Sequence, residues 1–222
     1  MVHPPVPPRA PRATVERLLI YSRALNTLQI EGYDIVSSAL LETRTFHAAS
    51  QIRRDFTYLG LLGTRGKGYP VADVRGKISA LLGSHTARQV ALVGVGNLGS
   101  ALLGYDGFAK HNFDIVAAFD VSPAKVGSTA TNGVRVHHVR DLPEVARRAN
   151  IDMAILAVPA DDAQSALDAT IEAGIHAILN FASARLRPRA PAHVRNIDLC
   201  SELGVLAYYC GLGCEDSGTG IA

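Results

Sequence analysis

Apolar positions change their period once along the chain. Up to about residue 83 they recur every three or four residues; beyond it, short apolar runs alternate with helical stretches. Leu18, Leu19, Tyr21, Leu25 and Leu28 predict a first helix over about 13–31, stopped at Gly32. Thr14 is its expected N-cap, with Glu16 in the first turn, where the helix dipole favours an acid. Ile35-Val36 reads as a short extended piece, and Ser37-Ser38 as the cap of a short helix over 39–42. A third helix over 48–59 carries Gln51, Arg53, Arg54 and Asp55, with Ile52, Phe56 and Leu59 as its buried stripe. Residues 60–71, rich in glycine, read as a β-hairpin with Arg65 and Lys67 at its tip; 73–82 is a helix ended by Gly83.

After a linker over 84–89 come strands at 90–93, 113–119, 133–136, 151–158, 175–179 and 194–198. Between them lie a helix that ends at 105–108, one over 141–149, and one ended by Gly174. Asp161 is expected to cap that third helix, with Gln164 in capping-box position. His137-His138 reads as a strand-end surface pair. The alternation predicts a doubly wound parallel sheet of Rossmann type. A last apolar helix, 199–209, follows with nothing after it to cover it, so it either packs on its own domain or joins two subunits by exchange. The implied organisation is a tail (1–12), a winged helix-turn-helix (13–83), a Rossmann domain (84–198), a dimerisation helix (199–210) and a flexible tail (211–222).

The chemistry concentrates where the first strand of the sheet ends. Gly94-Val95-Gly96-Asn97-Leu98-Gly99 is a G-x-G-x-x-G turn between a strand and a helix, and Asp120 closes the next strand. Gly94 permits the tight turn, Gly96 lets a pyrophosphate approach the backbone, and Gly99 lets the helix pack on the sheet. The helix N-terminus attracts phosphate. Asp120 accepts from ribose hydroxyls and repels a 2′-phosphate, which selects NAD(H) over NADP(H). Ligands of such sheets sit over the carboxyl ends of the strands. That adds Val121, Ala157, Val158, Pro159, Asn180, Phe181, Ala182 and Asp198 to the cofactor set. A glycine turn in another βαβ unit, such as a CoA-binding module, is the structural alternative.

Charge separates the two halves. Residues 1–83 hold eleven Lys/Arg against six Asp/Glu; residues 84–222 hold eleven against fourteen. A basic front third suggests a polyanionic partner. Arg53-Arg54 alone would be a solvated helix face, and Gly66-Lys67-Gly68 alone a surface turn. Together with the charge asymmetry they read as a winged helix bound to duplex DNA, the third helix in the major groove. The DNA-facing set is Ser37, Ser38, His47, Ser50, Gln51, Arg53, Arg54, Arg65, Gly66, Lys67 and Tyr69. The turn Arg44-Thr45-Phe46-His47 breaks a local rule, since glycine fits there more easily than Phe46. Thr45 is expected to cap the third helix and Phe46 to pack as a staple.

No apolar run reaches the ~18 residues of a membrane span. The proline-rich start lacks the apolar region of a signal peptide and reads as a disordered tail. Cys200, Cys210 and Cys214, odd in number, suit a reduced cytoplasmic protein, and Cys210-x-x-x-Cys214 lacks the second ligand pair of a zinc site.

Several separated stretches resemble one family. They are Arg17-Leu18 to Tyr21, Ser37-Ser38, Gln51-Ile52-Arg53-Arg54-Asp55-Phe56 and Gly63-Thr64-Arg65-Gly66-Lys67-Gly68-Tyr69. Further on come Leu92-Val93 with the glycine turn, Ala118-Phe119-Asp120, Val158-Pro159-Ala160, Gly174-Ile175, Leu179-Asn180-Phe181-Ala182 and Asn196-Ile197-Asp198-Leu199. In this order they resemble the Rex family of redox-sensing transcriptional repressors. The resemblance implies a homodimer that binds a pseudo-palindromic operator when NADH is scarce and leaves it when NADH binds. It implies that Asp198 exchanges between partners at Arg23 and Tyr105, that Tyr105 lies beside the cofactor and Leu199 near the nicotinamide, and that helix 199–209 is swapped. Phe46 stands where the family has a turn glycine, and Ser183 where it commonly has proline. The rival class is an NAD-dependent dehydrogenase, which needs a catalytic acid/base and a substrate domain. Only a helix and a tail follow Asp198.

Overall fold

The computed structural model describes residues 10–64, 66–83 and 86–211. Most of both expected tails lies outside them, as do Arg65 and Cys214. The chain forms two compact units, Met1–Thr86 and Ala87–Ala222.

The first unit runs α1 (Arg12–Ile30), β1 (Ile35–Val36), α2 (Ser38–Thr45), α3 (Ala49–Tyr58), β2 (Tyr69–Pro70) and α4 (Val71–Leu82). Its core joins Leu18, Tyr21, Leu25 and Leu28 of α1 to Leu41, Ile52, Phe56, Val71, Val74 and Ile78, all fully buried or nearly so. The i, i+3/i+4, i+7 spacing on α1 supplies that stripe.

Of the expected caps in this unit, only that of α2 forms. α1 starts after Pro11 with no side-chain cap; Thr14 is buried inside the helix, and Glu16 pairs with Arg12. Ser37 does cap α2, its Oγ accepting from Leu40 N at 3.0 Å, and α2 runs on to Thr45. Thr45 cannot cap α3, because its hydroxyl donates back to the Leu41 carbonyl at 2.7 Å and is buried. Phe46 ends α2 at φ 56° and is 95% exposed, so it staples nothing.

The glycine-rich segment is not a ribbon folded on itself. Thr64 and Gly68 form a single bridge, while β2 returns to pair antiparallel with β1, Val36 opposite Tyr69. Gly68 makes this pairing possible: at φ 91°, a Cβ there would lie 2.4 Å from the Val36 carbonyl oxygen.

The second unit holds β3 (Arg88–Val93), α5 (Asn97–Leu103), β4 (Phe113–Asp120), β5 (Val136–His138), α6 (Leu142–Arg148), β6 (Met153–Leu156), α7 (Ala163–Glu172), β7 (Ala177–Asn180), β8 (His193–Asn196) and α8 (Leu199–Gly211). The sheet order is β5-β4-β3-β6-β7-β8, parallel throughout. Alternate residues of β3 serve opposite faces: Val90 and Leu92 pack with Leu103 of α5, Ala91 and Val93 with Leu142 of α6 and Leu167 of α7. Strand order reverses between β3 and β6, which opens a crevice at their carboxyl ends.

Several boundaries move. α5 stops at Gly104, short of residues 105–108. β5 contains His137 and His138, and the half-buried His137 packs on Phe119 with ring centres 5.8 Å apart. β8 ends before Asp198. The capping box does not form. Asp161 lies in a 3-10 turn before α7, and the Gln164 amide instead holds the Arg187 backbone, donating to its carbonyl at 3.1 Å and accepting from its N–H at 3.0 Å. Among the described residues no helix is long and apolar enough to cross a membrane.

Candidate functional site

The glycine turn is built as its spacing demands, each glycine for a different reason. Gly94 has φ 95°, and a Cβ there would meet the Ala157 carbonyl oxygen at 2.5 Å and Val158 Cγ1 at 2.7 Å. A Cβ on Gly99 would lie 2.0 Å from the Gly94 carbonyl oxygen, so α5 sits on the turn with no room for a side chain. Gly96 faces open space, with nothing within 4 Å of where its Cβ would be. Asn97 and Leu98 beside it are exposed. Two glycines thus close the turn against the sheet, and the middle one leaves the backbone accessible.

Asp120 is tied to this turn. Its carboxylate accepts from Val95 N at 2.9 Å and Ser122 N at 2.8 Å, and Lys125 Nζ lies 3.2 Å away. Burial pushes its carboxyl up, but the two amides and the ammonium outweigh that and hold it below the usual carboxylate range. The sequence had offered Asp120 as a bare negative charge; Lys125 neutralises part of it. Oδ1 accepts one of these bonds and Oδ2 two, so Oδ1 keeps acceptor capacity for a further donor.

The other strand ends gather round the turn. Val93 accepts from Ala157 N and Leu156 from Phe181 N. Asn180, fully buried, donates to the carbonyl of Ala182 and to Asn196 Oδ1, both at 3.0 Å, and accepts from Ala182 N. Its side chain shapes the 180–182 loop and binds it to β8. Pro159 and Val121 are exposed at the rim, Phe181 is half-buried and Ala182 is buried.

Tyr105 and Asp198 are not brought there. Tyr105 follows α5 at the opposite end of the sheet, against Phe108 and a cavity of about 170 Å³ beside Phe113 and Ile115. Asp198 caps α8 beyond β8, accepting from Cys200 N, Ser201 N and the Ser201 hydroxyl. β4 and β8 are four strand spacings apart, about 19 Å, so the two side chains of one chain do not meet across the sheet. Leu199 is 59% exposed, and residues 199–210 of α8 are all exposed.

In the first unit, Ser50, Arg53 and Arg54 are exposed along α3 and Gly66 and Lys67 at the loop tip, while Arg23 is exposed on α1. Arg53 Nη1 donates to Ser38 Oγ at 3.0 Å. Three expected DNA-facing side chains turn inward. Tyr69 is 8% exposed with its ring edge-on to Phe56; Gln51 donates to Asp55; His47 holds the Thr45 carbonyl at 2.7 Å with its ring edge-on to Tyr21. Arg65 lies outside the described residues. Asp55 was not singled out from the sequence for this role, yet it is the buried acid of a network with Arg17, Tyr21 and Gln51. The signal available was an acid one residue before the buried Phe56, with a matching cation on α1. Among the described residues no cluster of His, Cys, Asp or Glu could hold a metal.

A redox-sensing transcriptional repressor Rex from Listeria welshimeri is 43% identical over 201 residues, spanning 90% of this chain and 93% of that protein. The chain belongs to the Rex family. A Rex repressor from Syntrophobacter fumaroxidans is 38% identical over 205 residues, 92% of this chain and 98% of its own. The solved Rex-family repressor RSP, in complex with beta-NAD+ and operator DNA, superposes with a TM-score of 0.85 at 31% identity, covering 91% of this chain and 93% of that one. RSP in complex with beta-NADH gives 0.78 at 30% identity, covering 91% and 95%. Two family models fall on this Rex chain: a putative DNA-binding protein N-terminus on residues 9–57 and a CoA binding domain on residues 85–184.

Proposed function

We propose that this Rex-family chain is a homodimeric repressor that holds operator DNA and releases it when NADH occupies the sheet unit. In this reading residues 13–83 bind DNA, 84–198 bind NAD(H), and 199–210 join the subunits. The observation that carries it is the open backbone at Gly96, flanked by two glycines with no room for a side chain and by Asp120 with acceptor capacity left on Oδ1. The relatives support it: one RSP structure holds NAD+ with operator DNA, another holds NADH.

The open backbone at Gly96 gives a dinucleotide a place to approach the turn. The first amides of α5 have no acceptor within their own helix, so they receive phosphate oxygens. Asp120 accepts from the ribose. When bound, the cofactor supplies a ring that is cationic when oxidised and neutral when reduced. Ala157, Val158, Pro159, Phe181 and Ala182 form the wall that senses the difference. To act as a switch, this wall must favour NADH in the arrangement that cannot bind DNA, because equal affinity for both arrangements shifts nothing. DNA is lost when the two copies of α3 leave the one-turn spacing of about 34–36 Å between major-groove faces. Asp198 is the proposed relay between Arg23 and Tyr105 of paired subunits. Its Oδ2 accepts the Ser201 hydroxyl and keeps acceptor capacity for either partner.

We read the chain as a regulator and not a dehydrogenase, acting in the cytoplasm where operators lie. Asp120 holds the turn and is not poised for proton transfer. The deciding experiment is a gel-shift titration of operator DNA with NADH and with NAD+, at fixed stated salt. NADH should release the DNA at concentrations where NAD+ does not. Equal retention with both forms saturating overturns the reading.

A further inference from the structure

We propose that Phe46 is a DNA contact of this repressor. Its ring would seat on an apolar part of the duplex, a thymine methyl or a deoxyribose wall, at the mouth of the groove that α3 enters. The proposal rests on the operator-binding reading above.

Phe46 is the most exposed large apolar side chain among the described residues, at 95%. Its backbone is also in the left-handed region, φ 56° and ψ 25°, where glycine or asparagine sits without strain and a bulky side chain does not. The position therefore carries two unfavourable features at once, and packing within its own unit offsets neither.

The ring is exposed, and the backbone that carries it is anchored on both sides. The Phe46 N–H donates to the Glu42 carbonyl at 2.9 Å. On one side Thr45 is buried and bonded to Leu41; on the other, His47 holds the Thr45 carbonyl and packs edge-on against the buried Tyr21. Phe46 stands three residues before the start of α3, at the end of the helix that enters the groove first in helix-turn-helix proteins. Ala48 and Ser50 at that same end are exposed too.

An aromatic ring on DNA finds two apolar surfaces, the thymine methyl in the major groove and the carbon face of the sugar. A phosphate offers it nothing. Such a contact neutralises no charge and releases no counterion, so it leaves the salt dependence of binding untouched.

The test uses the full chain with Phe46→Gly, which removes the ring and suits the backbone, and Phe46→Leu, which keeps apolar volume. Phe46→Gly should bind operator about tenfold more weakly, with an unchanged or higher melting temperature and an unchanged slope of log affinity against log salt. Phe46→Leu should keep most of the affinity. Replacing thymines of the operator by uracil one at a time separates the two surfaces. A position where the wild type loses affinity and Phe46→Gly does not identifies the methyl; loss in Phe46→Gly with no such position identifies the sugar. Either supports the contact. Operator affinity of Phe46→Gly within about twofold of wild type overturns the proposal, as does a loss that follows a changed oligomeric state in sedimentation. A wild-type chain that ignores operator DNA overturns this proposal and the repressor reading together.

Discussion

Arg17 on α1 and Asp55 on α3 form a two-pronged ion pair, Nε to Oδ2 and Nη2 to Oδ1, each at 2.7 Å. Tyr21 adds its hydroxyl at 3.0 Å and Gln51 its amide at 3.1 Å. Asp55 is 3% exposed. α3 is therefore held to α1 by one carboxylate and not by apolar packing alone. Removing one partner of a buried pair leaves the other uncompensated, so Asp55→Ala should destabilise the first unit by about 3 kcal/mol. Urea unfolding checks this, and operator affinity should fall with it.

The same pair sets an acid limit. Burial pushes the Asp55 carboxyl up, but Arg17, Tyr21 and Gln51 together hold it below its ordinary range. Its folded pKa is lower than its unfolded one, so its stabilisation is complete above about pH 4 and fades as pH falls further. Asp120 adds a contribution of the same sign. Asp55→Asn should flatten the acid limb of a stability-against-pH curve. An unchanged limb would mean that the pair carries no such linkage.

The glycines separate folding from binding. Gly96→Ala adds a methyl to open space, so its melting temperature should match wild type while NADH affinity falls by at least about tenfold, because the backbone can no longer be approached. Gly99→Ala must push a methyl into the Gly94 carbonyl and should lose both stability and NADH binding. Calorimetry with NADH and a thermal melt on each variant decide it.

Asp120→Ala should weaken NADH binding and loosen the turn, since Val95 and Ser122 lose their acceptor, while operator binding persists. Lys125→Ala leaves the Asp120 charge without its cation beside the proposed ribose site. It should widen the preference for NADH over NADPH, measured as the ratio of their dissociation constants. A narrower ratio would assign Lys125 the opposite role.

Arg53→Ala and Lys67→Ala should each weaken operator binding and lower the salt slope by about one phosphate contact, leaving NADH affinity unchanged. Asp198→Ala should uncouple the two ligands: NADH and operator each bind, and NADH no longer releases the DNA. Intact release in that variant would remove Asp198 from the relay.

What the sequence reveals here depends on how local the cause is. The sheet was legible because short continuous apolar runs separated by helices have few other solutions, and the glycine turn because its spacing between a strand and a helix is a local pattern. Helix starts were not. Thr14, Thr45 and Asp161 all look like caps, but capping depends on where the hydroxyl or carboxylate turns. Thr45 bonds back into its own helix, and Thr14 sits inside one, beside Arg17. Inward and outward polar residues on α3 were likewise indistinguishable: Asp55 and Gln51 differ from Arg53 and Arg54 only in facing α1, which lies 38 residues away at Arg17. Tyr69 reads as a loop aromatic and proves to be core, because β2 pairs with β1 and not with the near side of its own loop.

α8 leaves the sheet with Leu203, Leu206, Tyr208 and Tyr209 each more than half in solvent. If α8 joins two subunits as proposed, a lone copy carries an uncovered oily rod. Dilution should pull such molecules apart and, in the same act, hand them to proteases and chaperones. Halving the dosage of this polypeptide would then cost a cell more than half of its working regulator.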